Sequence, residues 1–195
     1  MTKNELRKIK LGERDLLTPE ERREKSAAIC DRIRALPVYQ KAKTIFLYRF
    51  IGSEVQLTAL EEGRDKTFVY PVCLGKGVME AARPTDGWQK GPFGISEPVG
   101  ERVPAEAIDV IICPCTSFDD RGFRLGMGGG YYDRTLASCS AVSIIAAYDL
   151  QQVDAVPANE WDKPVSAVIT ETRLILREMQ ADQLFFRRQG GSNSF

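Results

Sequence analysis

The amino-acid sequence predicts a three-layer α/β fold, in which a mainly parallel sheet carries helices on both faces. The chain has 195 residues, of which 43% are hydrophobic, enough for one core but short for two domains. Short apolar segments typical of buried strands alternate with segments of helical spacing, and this alternation favours parallel strands joined by helices. We therefore expect a single domain over residues 1–186, followed by a mobile, polar, Gly- and Ser-rich tail over residues 187–195.

The clearest helix start is the segment 18-TPEE-21. It offers a threonine N-cap, a proline in the first turn and an acid at the third position. Apolar residues follow at helical spacing until Pro37, which ends the helix. Further helices are predicted over residues 4–14, 55–64 and 131–139.

Six short apolar segments have the length and character of strands. They lie at residues 44–48, 67–73, 78–82, 109–115, 142–148 and 165–170. In parallel sheets of this class, ligands bind at the carboxyl ends of the strands. A glycine-rich stretch follows the strand at 109–115 within about ten residues, so we expect it to lie at that edge of the sheet.

The charge balance limits the partners of the chain. Lys plus Arg number 27 and Asp plus Glu number 27, so there is no basic excess of the kind that nucleic-acid binders carry. No apolar run approaches the roughly 20 residues that span a bilayer. The charged start MTKNELRKIK lacks the apolar core of a secretory signal, and we expect a cytoplasmic protein that binds neither membrane nor nucleic acid.

The cysteine and histidine content limits which metal sites and catalytic mechanisms are possible. Five cysteines at irregular spacing and no histidine make a zinc site unfavourable, and we interpret the cysteines as reduced, mostly buried thiols. Without histidine, catalysis of the Ser-His-Asp or Cys-His type is excluded.

The stretch 124-RLGMGGGYYDRTL-136 is the most distinctive in the chain. Successive glycines let backbone N–H groups converge on an anion, and a helix that begins at Tyr131 would add its positive end. The stretch is not a P-loop, because no Gly-Lys-Ser/Thr follows, and Tyr131 stands where a dinucleotide fingerprint needs its third glycine. A phosphate site and a flexible turn are both compatible with the glycines alone, whereas the flanking Arg124, Asp133 and Arg134 favour phosphate.

The segment 124-RLGMGGGYYDR-134 resembles the signature of the 5-formyltetrahydrofolate cyclo-ligase family. Shorter similarities occur in the same order as in that family, at 3-KNELR-7, 52-GSEVQL-57, 93-FGISEP-98 and 160-EWDKP-164. The resemblance implies a single α/β domain, the cofactors ATP and Mg²⁺, and a reduced folate substrate. We expect the protein to be a monomer.

The resemblance also implies roles for particular residues. Catalytic roles fall to Arg124, Tyr132 and Asp133. Nucleotide contacts fall to Lys3, Asn4, Glu5, Leu6, Arg7, Arg124, Leu125, Gly126, Met127, Gly128, Gly129, Gly130, Tyr131 and Tyr132. Folate contacts fall to Arg7, Glu54, Phe93 and Tyr132, and Mg²⁺ would be held by Asp133 and Asp162.

Each of these residues also has a purely structural interpretation. Lys3 and Arg7 could lie on a solvated helix face, and Glu54 could be an exposed acid that opens a helix. Phe93 could be a core aromatic. Asp133 and Asp162 could be an ordinary first-turn acid and a turn acid.

The implied reaction converts 5-formyltetrahydrofolate, with or without a polyglutamate tail, to 5,10-methenyltetrahydrofolate, ADP and phosphate through a phosphorylated formyl intermediate. Phosphoryl transfer needs positioning and charge stabilisation more than a protein base, which suits a chain without histidine. Two alternatives remain open: a catalytically inactive relative that binds nucleotide or folate, and a phosphosugar-binding α/β domain.

Overall fold

A computed structural model describes residues 1–62 and 65–177. The tail predicted over residues 187–195, and the end of the domain predicted before it, lie outside this range. Within it the element order alternates as the sequence predicts, and the elements form one α/β domain.

The described residues contain four α-helices. These are α1 (Lys3–Asp15), α2 (Pro19–Ala35), α3 (Pro37–Lys41) and α4 (Tyr131–Ser138). The predicted start of α2 is confirmed, since Thr18 and Glu21 form a capping box. α1 begins with a second capping box, formed by Thr2 and Glu5. None of these helices is long and apolar enough to cross a membrane.

The helix predicted over residues 55–64 is wrong: the structure has only a 3₁₀ turn, Thr58–Glu61, in this region. Tertiary partners take the hydrogen bonds that a helix would use. The Tyr48 hydroxyl donates to the carbonyl of Val55 at 2.9 Å, and the N–H of Gln56 donates to Ser26 Oγ at 3.0 Å. Long-range contacts have therefore overridden the local helical pattern.

All six predicted strands are confirmed, mostly with shorter bounds, and six further short strands accompany them. The strands are β1 (Thr44–Phe46), β2 (Thr67–Gly75), β3 (Val78–Ala82), β4 (Trp88–Lys90), β5 (Ser96–Pro98), β6 (Arg102–Val103), β7 (Val110–Cys113), β8 (Ser117–Phe118), β9 (Arg124–Leu125), β10 (Val142–Ala146), β11 (Ala167–Ile169) and β12 (Leu174–Leu176). The unpredicted strands span two or three residues, too few to show a period in the sequence. β1 and β11 are equally short, but they lie within the longer apolar runs at 44–48 and 165–170.

Eight strands form the main sheet in the order β12-β11-β10-β7-β1-β2-β3-β6. The five strands from β11 to β2 are parallel to their neighbours, and the outer strands β12, β3 and β6 pair antiparallel. Strands β4 and β5 form a separate hairpin, as do β8 and β9. The predicted mainly parallel sheet is confirmed.

The sheet carries helices on both faces because apolar side chains of its central strands alternate between two cores. Ile45 packs in one buried cluster with Ile29 and Ile33 of α2. Its neighbour Phe46 packs in a second cluster, against which Leu136 of α4 lies. This period-2 alternation within a fully buried strand produces the three layers predicted from the sequence.

The carboxyl ends of the parallel strands meet at one edge, and the segments of interest leave from it. β1 leads to residues 47–54, and β7 leads through the β8–β9 hairpin to residues 126–130, here called the glycine loop. A small apolar cluster of Leu6, Leu125 and Val156 docks α1 beside this loop. The predicted location of the glycine loop is confirmed.

Candidate functional site

The glycine loop connects β9 to α4 and uses backbone conformations that favour glycine. Gly128 has φ +98° and Gly130 has φ +69°. A Cβ atom on Gly128 would lie 3.4 Å from Arg7 Nη2, so a larger residue would also meet a neighbouring cation. Gly130 is the N-cap of α4 and supplies no side-chain hydrogen bond. The first N–H groups of α4 thus lack a side-chain acceptor at this end, as an anion site requires.

The first two turns of α1 bring cations to this loop. Arg7 Nε donates to the carbonyl of Gly126 at 2.7 Å, and Arg7 Nη1 donates to Asn4 Oδ1 at 2.5 Å. Lys3 Nζ forms an ion pair with Asp162 Oδ2 at 2.6 Å. Lys3 and Arg7 therefore do not simply lie on a solvated helix face: both bind partners more than 100 residues away in sequence.

Arg124 is the most enclosed cation of the group, with a side chain that is 3% exposed. Its Nη2 pairs with Asp133 Oδ1 at 3.1 Å, and its guanidinium carbon lies 5.4 Å from the centre of the Tyr132 ring. Arg124 Nε is buried and has no hydrogen-bond partner in the part of the chain that the structure describes. A buried donor without an acceptor is uncommon, and at a glycine loop it suits an anionic ligand.

Asp133 and Asp162 lie next to this cluster, and each uses only one carboxylate oxygen in its hydrogen bonds to the described residues. Asp133 Oδ1 accepts from Arg124 and from the N–H of Lys163, and Asp162 Oδ2 accepts from Lys3 and from the N–H of Asn159. Across residues 1–62 and 65–177, the second oxygen of each carboxylate accepts no hydrogen bond, and no group of three acidic, Cys or His residues could hold a metal ion. Two carboxylates assisted by phosphate oxygens fit Mg²⁺ rather than a cation that needs an all-protein cage.

Tyr132 connects the glycine loop to the ends of the strands. Its ring stacks on Phe46 with centroids 6.4 Å apart and packs against both apolar clusters. Burial of the hydroxyl raises the pKa of Tyr132 well above its usual range, and the negative charge of the nearby Glu54 carboxylate raises it further. Tyr132 is therefore a neutral hydrogen-bonding group that lies between Arg124 and Glu54.

Glu54 is buried rather than exposed, so its interpretation as a surface acid is wrong. Only 9% of the residue is accessible, and Oε2 accepts the N–H of Ile51 at 3.0 Å. Burial raises the pKa of Glu54, whereas the Ile51 N–H and the positive charge of Arg14 lower it. A buried carboxylate at the edge of the sheet is well suited to accept hydrogen bonds from a ligand.

Phe93 is not a core residue, so its structural interpretation is also wrong. It is 77% exposed and has φ +62°, a strained conformation for a bulky side chain. It lies in the turn between β4 and β5, a hairpin anchored to β2 because Glu97 Oε1 accepts the N–H of Cys73 at 2.8 Å. Among the described residues, no hydrogen bond or ring contact joins Phe93 to Glu54 or Tyr132, so the structure does not yet bring it into the cluster.

The remaining predicted residues shape the site through helix capping, packing and backbone position, and most of their side chains do not line it. The Glu5 side chain is used in the α1 capping box, and Leu6 and Leu125 are buried. Tyr131 packs beneath the loop, because a Cβ atom on Gly129 would lie 2.7 Å from its ring, whereas Met127 is 63% exposed. Contacts from these residues to a ligand would come mainly from their backbone groups.

Two further arginines lie at the site: Arg134, which the sequence places beside the glycine loop, and Arg14, which escapes sequence reasoning. Arg134 Nη1 donates to the carbonyl of Gly129 at 3.3 Å and lies so close to Gly77 that no side chain could replace that glycine without movement. Arg14 is 5% exposed, and it donates from Nε to Ser53 Oγ at 2.9 Å and from Nη1 to the carbonyl of Cys115 at 3.1 Å. In the sequence Arg14 looks like an ordinary last-turn cation of α1, and nothing marks it as buried.

The cysteines are free thiols, as predicted, and Cys30, Cys113 and Cys115 are buried. Burial raises the pKa of Cys30 to about 11 and the pKa values of Cys113 and Cys115 to about 12. These three thiols are therefore protonated near neutral pH and are poor nucleophiles.

Comparison with known proteins shows one family throughout. The model of the 5-formyltetrahydrofolate cyclo-ligase family matches residues 1–171. The 5-formyltetrahydrofolate cyclo-ligase of Escherichia coli K12 is 30% identical over 174 residues, which cover 83% of this chain and 96% of that protein. The Haemophilus influenzae cyclo-ligase is 31% identical over 180 residues, which cover 86% of this chain and 94% of that protein.

Solved structures agree. The NMR structure of Aquifex aeolicus 5,10-methenyltetrahydrofolate synthetase has a TM-score of 0.82 and 36% identity, and covers 100% of this chain and 97% of its own. The Mycoplasma pneumoniae 5,10-methenyltetrahydrofolate synthetase has a TM-score of 0.73 and 27% identity, over 88% of this chain and 99% of its own. With a family match over residues 1–171, a shared fold and the glycine-loop signature in place, the chain belongs to the 5-formyltetrahydrofolate cyclo-ligase family.

Proposed function

We propose that the protein uses ATP and Mg²⁺ to cyclise 5-formyltetrahydrofolate to 5,10-methenyltetrahydrofolate, with release of ADP and phosphate. The main support is the convergence of Lys3, Arg7 and Arg124 at the glycine loop, next to the buried carboxylate of Glu54. A cationic anion site beside a buried hydrogen-bond acceptor suits a reaction that transfers a phosphoryl group from a polyphosphate to a substrate with an uncharged, N–H-rich ring.

The glycine-loop side would hold the nucleotide. α4 begins directly after the glycine loop, and Arg124 Nη1 would lie 3.7 Å from a Cβ atom on Gly126. Arg124 Nε, which lacks a partner among the described residues, would donate to a phosphate oxygen, and Lys3 and Arg7 would offset the remaining charge. Charge stabilisation of this kind is the main contribution that proteins make to phosphoryl transfer.

Asp133 and Asp162 fit Mg²⁺, since each keeps one carboxylate oxygen that accepts no hydrogen bond from the described residues. When bound, Mg²⁺ neutralises charge on the phosphates as it builds up. The ion pairs with Arg124 and Lys3 hold both carboxylates in place. The same two cations can then turn towards the phosphates when the carboxylates take the metal.

The Glu54 side would hold the folate. The carboxylate of Glu54 would accept hydrogen bonds from the amino and ring N–H groups of the pterin, and Tyr132 would contact the formyl end. The exposed ring of Phe93 is available to cover the pterin once the hairpin of β4 and β5 approaches it. A phosphosugar-binding domain would have no use for Glu54 or Phe93.

The proposed chemistry balances without a protein base. The formyl oxygen attacks the γ-phosphorus of ATP, a P–O bond to ADP breaks, and the folate carries an O-phosphorylated formyl group with an iminium at N5. N10 then bonds to the formyl carbon and loses its proton to water. The C–O bond breaks, phosphate leaves with the former formyl oxygen, and the N5–CH–N10 amidinium remains. The protein needs only to align the two substrates and offset charge, which suits a chain without histidine.

One assay tests this proposal. The full chain is incubated with MgATP and 5-formyltetrahydrofolate, and the methenyl product is followed by absorbance together with ADP. We expect both products in equal amounts, with ADP formation dependent on the folate. Binding of either substrate without methenyl product would favour a catalytically inactive relative instead.

We further propose that the protein works as a monomer in the cytoplasm and accepts folates with or without a polyglutamate tail. Support for a monomer comes from contacts within one chain: Lys3 pairs with Asp162, Arg7 binds the carbonyl of Gly126, and Arg124 pairs with Asp133. Light scattering of the active protein tests the oligomeric state, and a comparison of KM values for mono- and polyglutamylated substrates tests the tail.

A further inference from the structure

We propose that Arg14 is a positioning residue for the folate, which holds the turn of Ser53 and Glu54 in place and keeps the Glu54 carboxylate ionised. This inference rests on the proposed function, since it concerns the same folate subsite. It assigns a role to a residue that lies outside every motif of the sequence and that touches neither the glycine loop nor the candidate metal carboxylates.

Arg14 is hydrogen-bonded to the turn that contains Glu54. It belongs to the last turn of α1 and is buried, and its Nε donates to Ser53 Oγ at 2.9 Å. Ser53 Oγ in turn donates to Asp15 Oδ1, on the next residue of α1. Two consecutive residues at the end of α1 thus hold Ser53, and Glu54 follows it directly.

The charge of Arg14 has no carboxylate partner of its own. Across residues 1–62 and 65–177 it forms no ion pair, and its other hydrogen bond, at 3.1 Å, is to the carbonyl of Cys115. That carbonyl already accepts from Gln151 Nε2 at 2.7 Å, so it does not need Arg14 to be satisfied. Burying a guanidinium without a carboxylate partner costs folding free energy, and its presence here indicates a role beyond packing.

Glu54 is the acid whose ionised form the charge of Arg14 stabilises. The titratable groups around Glu54 are Arg14, Tyr48, Tyr132, Tyr148 and Cys115. The Tyr148 hydroxyl donates to the backbone carbonyl of Glu54 at 3.3 Å, and burial raises the pKa of Tyr148. Burial raises the pKa of Tyr48 and of Tyr132 well above the usual range and the pKa of Cys115 to about 12, so these three are neutral near pH 7. Arg14 is therefore the charged group in this set that stabilises the carboxylate form, the form that accepts hydrogen bonds on both oxygens.

α1 consequently connects the two halves of the site. Arg7 and Arg14 are seven residues apart, which places them on the same face of the helix about two turns from each other. Arg7 binds the carbonyl of Gly126 in the glycine loop, and Arg14 binds the turn of Glu54. A single rigid helix therefore sets the position of the glycine loop relative to the folate carboxylate.

The test compares the variants Arg14→Met and Arg14→Lys with the full-length wild-type protein. Lys10→Met is the matched control: Lys10 lies one turn earlier in α1 and contacts the carbonyl of Leu150 and Glu13 instead. KM values for 5-formyltetrahydrofolate and for ATP are measured, together with the pH dependence of kcat/KM for the folate between pH 5 and 9, an experimental range of roughly two units on either side of neutrality.

We expect Arg14→Met to raise KM for the folate by about tenfold, with a much smaller change in KM for ATP. Its acid limb should move to higher pH, because Glu54 is buried without its compensating charge and protonates more readily. Arg14→Lys should keep the acid limb near that of the wild type, since it retains the charge, and recover part of the KM effect. Lys10→Met should leave both quantities unchanged.

An acid limb that does not move in folded Arg14→Met, or KM values for ATP and folate that rise equally, would overturn the inference. If Arg14→Met does not fold, the variants Arg14→Lys and Ser53→Ala provide the test, because each weakens or removes the hydrogen bond between Arg14 and Ser53. An unchanged KM for the folate in both of these variants also overturns the inference. An inactive wild-type protein instead contradicts the proposed function, and the two failures are thereby distinguished.

Discussion

The glycine-loop region and the Glu54 region of the site are built in different ways. The first consists of Arg124, residues 126–130 and the start of α1, and it is defined by backbone groups and by cations, of which Lys3 and Arg7 are partly exposed and Arg124 is buried. The second consists of the turn at residues 51–54 with the side chains that enclose it, and it is defined by burial. Gly128 and Gly130 have positive φ in the first region, whereas a 9% exposed carboxylate dominates the second.

This contrast indicates how each region would recognise its ligand. Phosphate is recognised by N–H groups and fixed positive charge, which a short sequence motif can supply locally. A neutral pterin requires a carboxylate whose charge state depends on everything packed around it. Variants in the two regions should therefore separate nucleotide effects from folate effects, and the following predictions run from the largest effect to the smallest.

Arg124→Ala is expected to cause the largest loss. It removes a buried charge from the glycine-loop region, and kcat/KM for ATP should fall by about 100-fold or more. Arg173→Ala is the matched control, because Arg173 pairs with Asp149 at the same 3.1 Å but is 44% exposed. Steady-state kinetics with saturating folate provide the measurement. Equal losses in the two folded variants would remove Arg124 from the nucleotide site.

Asp133→Asn should retain ATP binding but lower kcat by roughly 10- to 100-fold. An amide oxygen can still accept from Arg124 and the N–H of Lys163, so the loop stays in place, but it is a weaker ligand for Mg²⁺. ATP binding, thermal stability and the Mg²⁺ dependence of turnover are measured on the same preparation. Wild-type turnover with wild-type Mg²⁺ dependence would return Asp133 to the role of a first-turn acid.

Glu54→Gln tests the other region, and here KM for 5-formyltetrahydrofolate should rise by about tenfold while ATP binding stays close to that of the wild type. The amide offers one acceptor and a mismatched donor to the pterin N–H groups. Glu13→Gln is a suitable control, since Glu13 is half-exposed and pairs with Lys10 on the same helix. Wild-type folate kinetics in Glu54→Gln would contradict the assignment.

The smallest effects are expected at Phe93, where function and conformation can be separated. Phe93→Ala and Phe93→Gly should both weaken folate binding by about two- to tenfold, because both lose the ring. Phe93→Gly should be more stable than Phe93→Ala by about 1 kcal/mol, since only glycine adopts φ +62° without strain. Chemical denaturation and folate titrations measure the two effects. Equal stabilities would mean that the turn relaxes when the ring is removed.

The same contrast explains how much could be predicted from the sequence. The layers, the six predicted strands and the glycine loop follow from local patterns, because apolar runs, glycine runs and helix caps are encoded by adjacent residues. The failed helix over residues 55–64 shows the opposite case: Tyr48 and Ser26, which lie outside the segment, bind the backbone groups of Val55 and Gln56 at its start. Short strands such as β8 and β9 exist only because they pair with each other.

The residues of the candidate site likewise divide into those that the sequence could assign and those that only the structure reveals. Lys3, Arg7 and the loop could be assigned to one site because the order of the motifs resembles the family, and the structure brings them together. Arg14 could not be found, since its burial arises from the packing of α1 on residues 53 and 115 and leaves no mark in the sequence. The burial of Glu54 was missed for the same reason.

The central claim is that the two regions act on one transferred phosphoryl group, so that the formyl oxygen of the folate bonds to the γ-phosphorus of ATP. It is tested most directly with 5-formyltetrahydrofolate labelled with ¹⁸O in the formyl group, followed by mass spectrometry of the inorganic phosphate after a limited turnover. The account predicts one ¹⁸O atom in each phosphate for each methenyl product formed. Unlabelled phosphate, with the ¹⁸O recovered in water, would contradict it.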